Sequence, residues 1–249
     1  VILMIDHLCI TGDCIEVMRD MPSESIDLVI VDPPYNRGLN YGGLYDDNKD
    51  ESEYIIWCKM WLSDCIRLLN STGSLYMINY PENAALLYPF LKKFMHFNRW
   101  ITWCYPTNIG QSTKNYTRSQ RAILFCSKTD KYKFNREDIL QPYKNPEDKR
   151  IKALIENGSG GRAPYDVFYY NMVKNVSKDK TEHPCQIPEP LLEVFIKASS
   201  DRGDVVLDPL AGSFSTCAVA KRLGRKSIGI DINPDYVKIG SARLAEIQL

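Results

Sequence analysis

The chain has 249 residues, 44% of them apolar and 25% charged, with formal net charge zero, which suits one large α/β domain without disulfide staples. No apolar run approaches the ~20 residues of a bilayer span, and the opening VILMIDHLCI, interrupted by Asp6 and His7, lacks the basic flank and cleavage site of a signal peptide. Eight cysteines without a C-x-x-C pair read as reduced thiols, so a cytoplasmic protein with no membrane contact is expected.

Short β-like runs alternate with helical patterns along the chain, the signature of a doubly wound, mostly parallel sheet. HLCITGD reads as a strand and CIEVMRDM as a short helix. IDLVIVD is continuously apolar, as a strand covered on both faces should be. From Tyr54, the residues Trp57, Cys58, Trp61, Leu62, Cys65 and Ile66 recur at helical spacing, and Asn70 to Gly73 then read as a stop before the strand SLYMIN.

A helix over Glu82 to His96 precedes RWITWCYP and RAILFCS, two strands whose polar link predicts an antiparallel hairpin at one edge of the sheet. Residues 131–182 are polar and weakly periodic and read as an insert of loops with one helix near Pro146 to Asn157. Order returns with the helix IPEPLLEVFIKAS, the strand DVVLD, the helix SFSTCAVAKRLG, the strand KSIGID and a last helix from Pro234.

The zero net charge hides an uneven distribution. Residues 92–182 carry 18 Lys and Arg against 9 Asp and Glu, while the remainder carries 13 against 22. A basic central third in an otherwise acidic chain fits a localised polyanion-binding face, although a solvated loop region with the same composition fits it equally.

Two strands end in Asp-Pro. In VVLDPLAGSFSTCAVAKRLG, a buried strand meets a small-residue turn, Asp208, Pro209, Leu210, Ala211, Gly212 and Ser213, and then a helix. Ligands of open α/β sheets bind at such carboxyl ends, and small residues let them approach the backbone. About 20 residues on, Asp231 ends the next strand, where a carboxylate can accept ribose hydroxyls. Neither G-x-G-x-x-G nor G-x-x-x-x-G-K-[ST] occurs, and Asp208 would repel phosphate. An acidic strand end instead suits an ammonium or sulfonium ligand, which points to S-adenosylmethionine.

The other Asp-Pro lies in IDLVIVDPPYNRG. Pro33 and Pro34 fix the backbone after Asp32 and remove two N–H donors, leaving stiffly held carbonyl acceptors beside a carboxylate, with Tyr35 exposed as a stacking face. That combination suits a planar ring bearing an exocyclic amino group, and a base can be held so only after it is flipped from its duplex.

With TGD and DPPY first, and DPLAGS with GIDINP at the carboxyl end, the chain resembles the S-adenosylmethionine-dependent DNA amino-methyltransferases of adenine-N6 type in the circularly permuted β group. Lys180 to Gly212 also resembles a segment of those enzymes, and the resemblance spans nearly the whole chain apart from 131–165. It implies a Rossmann-like methyltransferase domain in two halves, a catalytic 1–130 and a cofactor-binding 183–249, around a target-recognition insert at 131–182.

It further implies that Asp32 and the Pro33 carbonyl accept the target amino group while Tyr35 stacks on the flipped base. Asp208 to Ser213 would border the methionine part of the cofactor, with His183 to Gln186 closing that end. Asp231, followed by Ile232, would hold the ribose, and Asp13, followed by Cys14, would lie near the adenine.

Two departures stand out: Phe214 replaces the second glycine of G-S-G, where it would narrow the pocket or cover the ligand, and Ile187 replaces a common lysine. His7, Cys9 and Cys14 lack a second ligand pair, so no metal is expected. Double-stranded DNA contacts are assigned to Lys114, Arg118 and Arg121, to Lys144, Lys149, Arg150, Lys152 and Arg162 of the insert, and to Asn36 and Arg37 on a glycine-rich loop expected to be mobile until substrate binds.

By analogy, a homodimer and a companion restriction endonuclease are candidate partners. Cytosine-N4 methylation, RNA or protein-amide methylation, and a silent binding module are the rival readings. An intact Asp32 to Tyr35 argues against the last.

Overall fold

Eight strands form one sheet: β1 (His7–Thr11), β2 (Ile26–Val31), β3 (Leu69–Asn79), β4 (His96–Cys104), β5 (Gln120–Ser127), β6 (Val167–Tyr169), β7 (Val205–Asp208) and β8 (Lys226–Asp231). Their order across the sheet is β1-β8-β7-β2-β3-β5-β4-β6. The computed structural model describes residues 6–41, 43–106, 112–172 and 186–248. β5 pairs antiparallel with both neighbours, and every other pairing is parallel.

The helices α1 (Cys14–Arg19), α2 (Glu51–Leu68) and α3 (Pro81–Phe94) cover one face; α5 (Glu189–Ser199), α6 (Ser215–Arg222) and α7 (Pro234–Glu246) serve the other, and α4 (Lys149–Glu156) lies in the insert. On β2 the alternation is plain. Val29 and Val31 join the cluster built with Trp61, Leu62 and Leu87, while Leu28 and Ile30 join the one built with Leu192 and Phe195. Burial on both faces accounts for an apolar strand without polar alternation.

The β4–β5 hairpin is present, but β6 lies outside it, so the hairpin is one strand in from the edge. β6 comes from the insert, which holds a strand as well as the helix α4. Asn70 to Gly73 belong to β3 and do not form the expected stop. Leu69 pairs with Ile26 before the register shifts at Asp27. The Asp27 carboxylate accepts Asn70 Nδ2 at 2.7 Å and the Val205 amide at 2.8 Å, which fastens β2 to both neighbours.

The order places β7, late in the chain, between β8 and β2. Because these strands run parallel, the turns that follow β2 and β7 leave the same edge of the sheet side by side. Among the described residues no helix is long and apolar enough to cross a membrane.

Candidate active site

The turn after β2 is held by its backbone. Tyr54 of α2 donates its hydroxyl to the Pro34 carbonyl at 2.7 Å, and Asn83 of α3 donates to the Tyr35 carbonyl at 3.0 Å. Asn79, at the end of β3, joins these two: it donates to the Tyr54 hydroxyl at 2.9 Å and accepts from Asn83 at 3.0 Å. Among the described residues the Pro33 carbonyl has no partner, so it is the free acceptor beside Asp32. Tyr54, Asn79 and Asn83 escaped the sequence reading because they lie on separate elements and their spacing carries no motif.

Tyr35 is 4% exposed, contrary to the open face expected of it. Its hydroxyl donates to Asp32, and its ring tilts against Tyr80 with centroids 4.8 Å apart. Arg121 is also buried, at 8% exposure, which corrects its assignment as a surface phosphate contact. Its guanidinium lies 4.8 Å from the Tyr35 ring, 4.2 Å from Tyr80 and 4.9 Å from Tyr105. Arg118 is bound to Glu82 at 2.6 and 3.0 Å and lies over Tyr80.

Burial pushes the Asp32 carboxyl up to about 7, against the opposing pull of the Tyr35 hydroxyl and Arg121. Asp208 is likewise pushed to about 7, first by burial and then by the neighbouring Asp32 and Asp231 charges. Both line one cavity with Ile187, Leu210 and Ala211 to Ser213. Ile187, itself buried, adds an aliphatic side chain to the lining of the cavity that holds both carboxylates.

A second cavity joins Asp32 to Tyr35 with Tyr41, Tyr45, Leu210, Asp231, Ile232 and Tyr236. Leu210 and Asp32 line both, so the two cavities adjoin at these residues. Among the described residues, three carboxylates and no Lys or Arg line them. That donor set disfavours phosphate and fits a nucleoside carrying a sulfonium and an ammonium group.

The Asp231 carboxylate accepts the Gly212 and Asn233 amides, both at 2.8 Å, and so ties the turn after β7 to the end of β8. Burial raises its carboxyl, opposed by those two amides. Arg243 of α7, another residue without a sequence signal, donates to the Ser213 carbonyl at 2.8 Å and pairs with Glu189. The Asp13 carboxylate caps α1 through the Ile15 amide at 2.8 Å, beside the buried Cys14 thiol, which burial pushes up. Gln186 is buried, whereas His183 lies outside the described residues.

Phe214 does not cover the pocket. It is fully buried in the cluster of α6 and α7, where a Cβ on Gly229 or Gly240 would come within 2.5 or 2.3 Å of its ring. Two glycines open a slot for this ring, and the backbone takes φ 55° to deliver it there.

The loop after Tyr35 is built on Asp47, another residue the sequence reading passed over. Asp47 is 3% exposed, and its carboxylate accepts the amides of Asn36, Arg37 and Leu39 at 2.8, 3.0 and 2.9 Å. Asn36 exchanges two 2.7 Å hydrogen bonds with the Lys49 backbone. These bonds tie the two ends of the loop together around Asp47 and Asn36.

Of the remaining DNA candidates, Arg150 projects from the first turn of α4, with a side chain 90% exposed, and pairs with Asp148. Lys149, on the same turn, and Lys114 are exposed, while Arg162 stacks on Tyr165 at 3.5 Å.

The profile of the DNA methylase family that joins N6 and N4 enzymes matches residues 26–242. The chain is 37% identical over 243 residues to DNA adenine methyltransferase YhdJ of Escherichia coli, covering 94% of this chain and 81% of that one. It is 35% identical over 241 residues to the Type II methyltransferase M.HpaI of Haemophilus parainfluenzae, covering 96% and 74%. Among solved structures, the cytosine-N4-specific PvuII DNA methyltransferase superposes with TM-score 0.74 at 18% identity, covering 98% and 90%. The M1.HpyAVI–SAM complex does so with TM-score 0.66 at 20% identity, covering 96% and 98%. With its two Asp-Pro turns side by side on a methyltransferase sheet, the chain belongs to the N6/N4 DNA methylase family, S-adenosylmethionine-dependent enzymes that methylate DNA.

Proposed function

We propose that the enzyme methylates the N6 amino group of an adenine flipped out of double-stranded DNA at a specific site. The observation that carries this reading is the adjacency of the Asp32 turn and the Asp208 turn at neighbouring strand ends, an amino-group acceptor beside an acidic cofactor seat. The aspartate at position 32, rather than the serine more common in cytosine-N4 enzymes, supports adenine, as does the likeness to a relative named as an adenine methyltransferase.

When bound, S-adenosylmethionine supplies an electrophilic methyl group. Asp208, the Ala211 to Ser213 backbone and Gln186 would border its methionine end, while Asp231 and Ile232 would hold the ribose and Asp13 the adenine edge. Asp32 and the Pro33 carbonyl accept the two N–H bonds of the target amine. That favours a pyramidal nitrogen with its lone pair exposed. Asp32 need not be a strong base, because the proton can leave after the methyl arrives. Tyr35 presents its ring to the base, and its hydroxyl gives up Asp32 to the incoming amine.

Lys114, Lys149, Arg150 and Arg162, with Asn36 and Arg37, are assigned to the DNA. The Type II names of the relatives support a companion restriction endonuclease. A homodimer is the assembly proposed by analogy.

The test is incubation of unmethylated genomic DNA with methyl-labelled S-adenosylmethionine, followed by digestion to nucleosides. Label in N6-methyldeoxyadenosine is expected. Label in N4-methyldeoxycytidine selects the alternative base, and no label in DNA under conditions where the cofactor binds overturns the reading.

A further inference from the structure

A cation is buried beside the Asp32 turn, among the aromatic rings that pack against Tyr35. Arg121 is the second residue of β5, opposite Trp103 of β4, and its side chain reaches the ring cluster of Tyr35, Tyr80 and Tyr105. Its Nη1 donates to the Tyr105 hydroxyl, while its Nε is buried and has no acceptor among the described residues. No carboxylate forms an ion pair with it among the described residues.

A buried arginine in that position is costly unless its charge is used. Beyond the Tyr105 hydroxyl and the Gln120 carbonyl at 3.3 Å, the charge faces aromatic rings and, through Tyr35, the Asp32 carboxylate. We propose that Arg121 is a positioning residue for methyl transfer: it holds the Tyr35 ring against Tyr80, and its positive charge, linked to Asp32 through that ring and its hydroxyl, favours a carboxylate that can accept the target amine. This assignment rests on the proposed function of Asp32.

Three groups act on that carboxylate from different elements. Tyr35, in its own turn, and Arg121, from β5, favour the charged form, whereas Asp208, from β7, opposes it. Burial lowers the guanidinium's own affinity for its proton, but the surrounding tyrosines and Asp32 outweigh that, so Arg121 stays charged.

The experiment titrates Asp32 directly and through the reaction. Carboxyl-13C aspartate is incorporated into the full chain, the Asp32 resonance is assigned with Asp32→Asn, and its midpoint is followed in Arg121→Met and Arg121→Lys. In parallel, single-turnover methyl transfer to unmethylated DNA is measured from pH 5.5 to 9. Arg121→Met should move the Asp32 midpoint up by about one unit, and the acid limb of the rate profile should follow it. About tenfold of the rate is then lost below the midpoint and recovered above pH 8.5. Arg121→Lys should restore most of the shift.

An unchanged midpoint, or a rate lowered by the same factor at every pH, overturns the proposal. If Arg121→Met does not fold, Arg121→Gln keeps N–H donors without the charge and is judged by the same midpoint. If the wild-type enzyme transfers no methyl to DNA, the function of Asp32 is lost, while the carboxyl titration still decides whether Arg121 holds it ionised.

Discussion

The hydroxyl of Tyr35 donates to the carboxylate of Asp32, so the first and last residues of the Asp-Pro-Pro-Tyr turn close on each other in the absence of a base. The donor occupies an acceptor site assigned to the target amine. Base binding must therefore exchange one hydrogen bond to Asp32 for another, at little net cost.

Tyr35→Phe tests that exchange. It keeps the ring but removes the hydroxyl that pulls Asp32 below the value burial alone would set. The Asp32 midpoint, already near 7, should rise, and turnover at pH 7 should fall several-fold and recover toward pH 8.5. A pH–rate profile checks this. An acid limb that does not move would show that the hydroxyl has no hold on the carboxylate.

Asp208 makes a prediction about stability. Burial raises its carboxyl to about 7 in the folded chain from 3.8, so the proton binds the folded state more tightly than the unfolded one. The sign follows: this contribution is complete below pH ~4 and is lost as pH rises through 7. Asp208→Asn removes the penalty and should stabilise the cofactor-free protein at pH 8 by on the order of 3 kcal/mol, while weakening S-adenosylmethionine binding. Thermal unfolding at pH 5.5 and 8, with calorimetry for the cofactor, checks both. A variant less stable than wild type at pH 8 contradicts the argument.

Phe214 and Gly240 form a size-matched pair. Phe214→Gly relieves a left-handed backbone at about 1–2 kcal/mol but empties a slot for a fully buried ring, so a net loss of about 2–3 kcal/mol is expected. Gly240→Ala directs a methyl into the ring and should cost about 1–3 kcal/mol. The double variant should be less unstable than the two losses combined, with coupling of at least about 1 kcal/mol by denaturant titration. Strict additivity would mean that the two side chains do not compete for one space.

Much of this architecture was legible because local patterns carry it. The unbroken apolar run before Asp32 reads as a strand covered on both faces, and the paired Asp-Pro endings mark the two turns that the sheet brings together. What was illegible depends on contacts distant in sequence. Arg121 reads as one cation in a basic segment, and only the pairing of β5 with β3 and β4 turns it inward among three tyrosines. Phe214 reads as an obstruction of the cofactor loop until Gly229 and Gly240 appear beneath it. β6 was hidden because three residues give too little periodicity to separate a strand from a loop.

Asp47 gives the last test. Its carboxylate gathers three amides of the loop after Tyr35, and that loop carries Tyr41 and Tyr45 to the wall of the cavity shared by Asp32 and Asp231. Asp47→Ala leaves three N–H groups without their acceptor, a local loss of about 2–4 kcal/mol, larger than a single neutral hydrogen bond because the acceptor is charged. The sheet and its helices do not depend on these bonds, so the loop should loosen while global unfolding changes less. The expected result is faster proteolysis between residues 36 and 49, a cofactor Kd raised about tenfold or more, and methyl transfer restored in part by saturating S-adenosylmethionine. Asp47→Asn, which keeps one acceptor oxygen, should fall between wild type and Asp47→Ala. Unchanged cofactor affinity in Asp47→Ala, with the loop shown to be cleaved faster, would separate the loop from the cofactor and leave it to the DNA alone.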